Sequence, residues 1–179
     1  NLKVLDLRVE SSRHPLSLGI LSSLKKLEEL YMGFHRPLRL GRNAEEERGC
    51  IKEITSLACL ECLQINLHGI DDLLLLLHEF PVERLSRFNM ICKQTRRKNG
   101  GDYQFRRNFK LYLRDETNSK LALYPAVTSI VRRTEDLTLD LGFLFRSGNF
   151  VNDLDESGFV NLKRLKLKSG SWECLIDST

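Results

Sequence analysis

The residues with the most chemical capacity in this chain are its thiols, its histidines and one basic segment. Cys59-Leu60-Glu61-Cys62 holds two cysteines separated by two residues, a spacing that suits zinc ligation or thiol exchange. A structural zinc needs four ligands, and no second pair or nearby histidine cluster completes them. The five cysteines, Cys50, Cys59, Cys62, Cys92 and Cys174, are odd in number and lack the paired spacing of a disulfide framework, so reduced thiols are expected. His14, His35, His68 and His78 are scattered, and none recurs with a Ser or Cys nucleophile and a carboxylate in a local motif. The chain is therefore not expected to be an enzyme. It lacks a Gly-x-x-x-x-Gly-Lys-Ser/Thr phosphate loop, so no cofactor is expected within it, ATP and ADP included.

Segment 93–107 carries Lys93, Arg96, Arg97, Lys98, Arg106 and Arg107 against Asp102, with Asn99-Gly100-Gly101 as a turn signal between them. It reads as a projecting basic loop. Tyr103 and Phe105 are types that stack bases, so nucleic-acid binding is the sharpest chemistry available here. A formal net charge of only +4 argues against it and for a solvated excursion. Glu45, Glu46 and Glu47 form an acidic run that fits the first turn of a helix capped by Asn43, with Ile51, Ile54, Thr55 and Ala58 facing inward. A second helix is expected from Ile70, Leu73, Leu74 and Leu77 behind an Asp71 cap, leaving Leu75 and Leu76 off its apolar face.

These elements sit between copies of one short pattern: apolar, two others, apolar, one other, apolar. The copies are Leu2-Leu5-Leu7, Leu27-Leu30-Met32, Leu60-Leu63-Ile65, Leu85-Phe88-Met90, a degenerate Asn108-Leu111-Leu113, Thr134-Leu137-Leu139 and Leu162-Leu165-Leu167. Their spacing lies near the roughly 20 to 29 residues of leucine-rich repeats. In each copy the second and third apolar positions fall two apart on a strand and enter a core together, while the residues between them face out. One unit cannot bury its apolar side alone, but stacked units build a continuous core. The expected fold is α/β: a leucine-rich repeat solenoid, with a curved parallel sheet of about seven short strands and an irregular convex side of short helices and loops. It spans residues 1–179 as one domain, with the basic loop 93–107 inside it.

The outward positions of such strands repeat in columns. The central column reads Asp6, Tyr31, Gln64, Asn89, Tyr112, Thr138 and Lys166; its neighbours read Val4, Glu29, Cys62, Arg87, Lys110, Asp136 and Arg164, and Arg8, Gly33, Asn66, Ile91, Arg114, Asp140 and Lys168. In this register Asp136 lies between Lys110 and Arg164, and Asp140 between Arg114 and Lys168. A concave sheet face is the natural binding surface of a solenoid. The candidate protein-binding residues are therefore Tyr31, Gln64, Asn89, Tyr112, Thr138 and Lys166, with Arg87, Lys110, Arg114, Arg164 and Lys168 setting the charge.

No Asn-x-Ser/Thr sequon occurs, which with unpaired cysteines favours the cytoplasm. No segment reaches the roughly 18 apolar residues of a membrane helix, so no membrane span is expected. The first strand pattern begins at Leu2 without a polar cap, so the chain is expected to be a segment of a longer array.

Leu27-Glu28-Glu29-Leu30-Tyr31-Met32 and Arg132-Arg133-Thr134-Glu135-Asp136-Leu137-Thr138-Leu139 resemble phrases of the leucine-rich repeat region of plant intracellular disease-resistance proteins, the coiled-coil, nucleotide-binding, leucine-rich repeat class. Leu21-Ser22-Ser23-Leu24 and Phe159-Val160-Asn161-Leu162-Lys163-Arg164-Leu165 are similar to that family too. The resemblance implies a cytoplasmic recognition and autoinhibition module of an immune receptor. Its partners would be a pathogen effector, a guarded host protein or the receptor's own nucleotide-binding domain, where ATP or ADP would bind. The extracellular plant signature Gly-x-Ile-Pro is absent. The alternative is the substrate-recognition repeats of an F-box-type ubiquitin-ligase adaptor, which would use the same face.

Overall fold

In the computed structural model, residues 1–8, 19–32, 44–67, 69–93, 106–112, 125–140 and 159–168 are described. Each of the seven pattern copies supplies one strand: β1 (Val4–Leu7), β2 (Glu29–Met32), β3 (Cys62–Leu67), β4 (Arg87–Lys93), β5 (Arg107–Tyr112), β6 (Asp136–Asp140) and β7 (Arg164–Lys168). They form one seven-stranded sheet in strict chain order. Every neighbouring pair is parallel. Parallel neighbours cannot be joined by a tight hairpin and need a crossover, which is why each strand is followed by a long return segment.

Alternation along the strands separates the two faces. Leu30, Met32, Leu63, Ile65, Leu67, Phe88, Met90, Cys92, Phe109, Leu111, Leu137 and Leu139 point to one side and are each at most 2% exposed. The helices α1 (Ala44–Thr55), α2 (Ile70–Glu79) and α3 (Pro125–Arg133) cover this same side. Cys50, Ile51 and Ile54 of α1, Leu73, Leu76 and Leu77 of α2, and Val127, Ile130 and Val131 of α3 join the strand residues in one continuous core.

The helix faces differ from expectation in detail. Ala58 is exposed beyond the end of α1, and Leu57 takes the inward place. Leu76 is fully buried rather than off the face. The reason is that α2 packs between α1 and α3 as well as on β3 and β4, so its buried arc is wider than one stripe. Gly69, in extended conformation, is the residue before α2, whereas Asp71 and Asp72 lie in its first turn, where negative charge suits the helix dipole. Asn43 and most of the basic segment, residues 94–105, lie outside the described residues.

Polar side chains on the helical side tie one return segment to the next. Glu53 of α1 accepts hydrogen bonds from the amides of Gly19, Leu21 (3.1 Å) and Ser22 (3.2 Å), closing the start of the 3₁₀ turn Leu21–Ser23. Gly19 itself adopts φ +90, a conformation that costs an L-residue about 1 kcal/mol. A methyl there meets no heavy atom within 4 Å, so Gly19→Ala is expected to lose only that backbone term. A loss well above about 2 kcal/mol in urea unfolding would contradict this. Arg133 donates to the carbonyls of Val82 and Leu85 (the latter at 2.8 Å), and Asn161 donates to the Arg132 carbonyl at 2.7 Å.

The fifth strand departs from the register read from sequence. Asn89 pairs with Asn108 and Ile91 with Lys110, whereas Lys110 pairs with Thr138 and Tyr112 with Asp140. Tyr112 is thus beside neither Asn89 nor Thr138. The residues entering the core from β5 are Phe109 and Leu111, and Asn108 lies on the opposite face rather than at an apolar position. Both displacements are even, so Lys110 and Tyr112 keep the outward face read for them and only their neighbours change. Inserting Phe109 buries a large aromatic, which favours this pairing over one that would hold Asn108 in the core.

Glu135, just before β6, joins the starts of three strands. Its carboxylate accepts bonds from Lys163 Nζ (3.1 Å), Arg107 Nη2 (3.2 Å) and the Arg106 amide (3.1 Å). Burial by itself raises this carboxyl, but the Lys163 and Arg107 bonds and the Arg106 amide outweigh it and hold it below the ordinary range. A depressed folded-state value stabilises above the unfolded pKa of about 4.3 and is lost as pH falls through the folded value. Urea midpoints at about pH 6 and about pH 3 should therefore drop less for Glu135→Gln than for the natural chain. Equal drops would remove Glu135 from the acid limb.

Candidate functional site

The face opposite the helices carries the polar side chains, and the pairing fixes their rows. One row runs Val4, Glu29, Cys62, Arg87; the next Asp6, Tyr31, Gln64, Asn89, Asn108, Asp136, Arg164. A third runs Asn66, Ile91, Lys110, Thr138, Lys166, and a fourth Lys93, Tyr112, Asp140, Lys168. Asp136 consequently lies between Asn108 and Arg164, not between Lys110 and Arg164. Asp140 lies between Tyr112 and Lys168; Arg114 falls outside the described residues.

At the β1–β4 end the charges are internally matched. Arg87 Nη2 donates to Glu29 at 2.7 Å, and Tyr31 OH donates to the other Glu29 oxygen. The Arg8 guanidinium, bonded to Asp6, stacks 4.6 Å from the centre of the Tyr31 ring. Cys62 lies beneath, its thiol directed at the Tyr31 oxygen at 3.5 Å. Burial pushes the Tyr31 phenol up, and the Cys62 and Glu29 contacts add to this, so the hydroxyl remains a donor across the physiological range. Two carboxylates, two guanidiniums and one aromatic ring make this half a locked, neutral platform.

The middle is a buried amide row. Gln64, Asn89 and Asn108 are only 6%, 8% and 2% exposed, and Thr138 in the next row is 2% exposed. Four of the positions expected to meet a partner, Gln64, Asn89, Thr138 and Lys110 (8% exposed), are therefore largely out of reach of solvent. Tyr31 and Tyr112 are half-buried, while Arg87, Lys166 and Lys168 are exposed.

The β4–β7 end is cationic. Lys93 and Lys168 both approach the Tyr112 ring, at 5.5 and 5.6 Å from its centre. Burial, then the like charges of Lys110 and Lys168, pulls the Lys93 ammonium below its ordinary range. Burial likewise lowers Lys110, opposed by Asp136 and reinforced by Lys166, Arg164 and Lys168. Arg164 grips the fully buried Asp136 carboxylate through two bonds, at 2.8 and 2.5 Å. It is a structural counter-ion as well as a face residue. The basic surroundings of Lys93 read as loop, but β4 extends to it, following the inward alternation that continues through Met90 and Cys92.

The buried thiols of Cys50 and Cys92 are poor nucleophiles. Burial pushes the Cys50 thiol up to about 11 and the Cys92 thiol up to about 12, nearby carboxylates adding to both. Cys59 is exposed while Cys62 is buried, and no group of three or more metal-ligating residues occurs among the described residues. No described helix is long and apolar enough to cross a membrane.

No family model, curated protein or solved structure matches the chain.

Proposed function

We propose that the chain is a leucine-rich repeat solenoid that serves as the recognition and autoinhibition module of a plant intracellular immune receptor, acting in the cytoplasm. The observation that carries this reading is the single parallel sheet in strict chain order, with helices on one side and a polar, tyrosine- and lysine-bearing face on the other. Purely parallel sheets of α/β enzymes are covered by helices on both faces. A sheet that spreads sequential strands under helices on one side offers its other face for protein contact. The resemblance of the repeat phrases to the disease-resistance family supplies the biological setting, and a pathogen effector, a guarded host protein or the receptor's nucleotide-binding domain is the partner class.

The test is made in the whole receptor. Tyr31→Ala, Tyr112→Ala and Lys166→Ala combined should leave protein abundance near normal, since half-exposed positions usually cost little stability. Effector response or resting restraint should change. Arg48→Ala with Lys52→Ala on α1 is the control and should change neither. If the control alters signalling and the face variant does not, the polar face is not the recognition surface. Titration of the purified chain with ATP or ADP should give no saturable heat; micromolar binding would contradict the absence of a phosphate loop. An F-box-like helical segment encoded upstream would favour the ubiquitin-ligase adaptor instead.

A further inference from the structure

We propose that the rim formed by the strand starts between β4 and β7 binds the phosphate backbone of a single-stranded nucleic acid through Arg84, Arg106 and Lys163. The inference goes beyond the reading of the polar face, because this rim borders that face and takes a partner of another class.

The net charge of +4 conceals a polarity along the chain. Residues 1–80 hold 10 Lys and Arg against 12 Asp and Glu, whereas residues 81–179 hold 18 against 12, an asymmetry that suits a polyanionic partner. All seven strands run parallel, so their starts share one rim. Backbone bonds set the order of the basic residues along it. Arg84 ends the 3₁₀ turn Val82–Arg84 that leads into β4, and the Phe88 amide donates to the Arg106 carbonyl at 3.0 Å. The Glu135 amide donates to the Arg107 carbonyl and the Lys163 amide to the Glu135 carbonyl, both at 2.8 Å. Arg106 and Arg107 are the last residues of the basic segment 93–107, so that segment joins the sheet on this rim. Between β4 and β7, Arg84, Arg106, Arg107, Arg133 and Lys163 meet Glu83 and Glu135, five bases against two carboxylates among the described residues. Glu135 is 8% exposed and shared by Arg107 and Lys163, and the Glu83 carboxylate accepts from the Ser129 hydroxyl of α3 at 2.6 Å. The Arg84 and Arg106 guanidiniums have no carboxylate partner among the described residues, and both are exposed, as is Lys163.

A phosphodiester strand fits this rim better than an acidic polypeptide. Arg84 and Arg106 are planar forks that match phosphate oxygens in pairs, and being exposed they meet a ligand without any buried group having to open. A protein interface is anchored by aromatic or aliphatic side chains, and between β4 and β7 the described rim exposes one large apolar side chain, Val160. The distance from β4 to β7 is three strand spacings, about 14 Å, which about four nucleotides span at the roughly 3.4 Å rise of a stacked strand. The three cations offered along it contact phosphate alone, so the binding carries no base sequence.

The test uses the purified chain and a fluorescent oligouridine dodecamer, followed by anisotropy between about 50 and about 200 mM KCl. Saturable binding is expected, with log K falling linearly against log salt and an oligoadenine dodecamer bound alike. Arg84→Ala with Arg106→Ala should weaken binding about tenfold at about 100 mM salt and flatten the slope by about 1.4, the loss of two phosphate contacts at about 0.7 each. Arg84→Lys with Arg106→Lys keeps both charges and should restore the slope without the full affinity. Tyr31→Ala with Tyr112→Ala on the polar face should leave binding unchanged. Both arginines are exposed, and circular dichroism of the double variants confirms that they are folded. No saturable binding at about 50 mM salt would overturn the proposal. An unchanged slope in the alanine variant would overturn the location. A polyglutamate of equal length that displaces the oligouridine at lower concentration would overturn the nucleic acid in favour of an acidic polypeptide. Should the oligouridine not bind while the Tyr31, Tyr112 and Lys166 variant still alters effector response, the rim inference fails and the recognition face stands.

Discussion

Phe109→Ala is expected to lower the unfolding free energy by about 3 to 5 kcal/mol, enough to unfold a marginal domain. Phe109 is 0% exposed and lies in the core row between Met90 of β4 and Leu137 of β6. Truncation removes the transfer energy of a ring and leaves a cavity that two neighbouring strands line, and a strand fixed on both sides has little freedom to collapse into it. Leu137→Ala, next in the same row, should cost about 2 to 5 kcal/mol. Urea unfolding followed by circular dichroism measures both. A Phe109→Ala loss below about 1 kcal/mol would show that the register seating it in the core is wrong. Leu113→Ala, by contrast, tests the alternative pairing, which would make Leu113 the core residue instead.

Arg164→Ala should cost about 3 kcal/mol, although arginine on a polar strand face ordinarily contributes little. The difference is burial: the Asp136 side chain is 0% exposed and Arg164 closes it with two short bonds. Removing the guanidinium strands a carboxylate that cannot reach water. The double variant Arg164→Ala with Asp136→Asn removes the charge as well and should recover more than half of the loss. If Asp136→Asn brings no recovery, the cost lies in the lost packing of the arginine stem rather than in the stranded charge.

The same contrast recurs over the whole face. Arg87 reads from sequence as a cation that sets the charge of the face, yet it is fastened to Glu29 two strands away, whereas Arg164 is bonded to Asp136 on the adjacent strand, the neighbour the sequence register gives it. Lys168 is exposed as expected, whereas Lys110 is only 8% exposed. Neither kind of residue carries a mark in its local sequence, because pairing depends on which strand lies alongside and in what register.

What the amino-acid sequence determined by itself is the number of strands, their order of apolar and polar positions and the placement of α1 and α2 between them, whereas α3 is seen only in the structure. These follow from periods of two and of 3.6, which are local properties of consecutive residues, and from the mass of leucine that leaves each unit one apolar side to bury. Only the tertiary structure decided the pairing of β5. Arg107 to Tyr112 alternates equally well in any register displaced by two residues, so the local pattern is silent, and the choice falls to which apolar pair fills the space between Met90 and Leu137. Phe109 fills it, and that one choice places Asn108 beside Asn89, Asp136 beside Arg164 without Lys110, and Tyr112 between Lys93 and Asp140. The burial of Leu76 was decided in the same way, by helices arriving on both flanks of α2, and a single helix's periodicity holds no record of its neighbours.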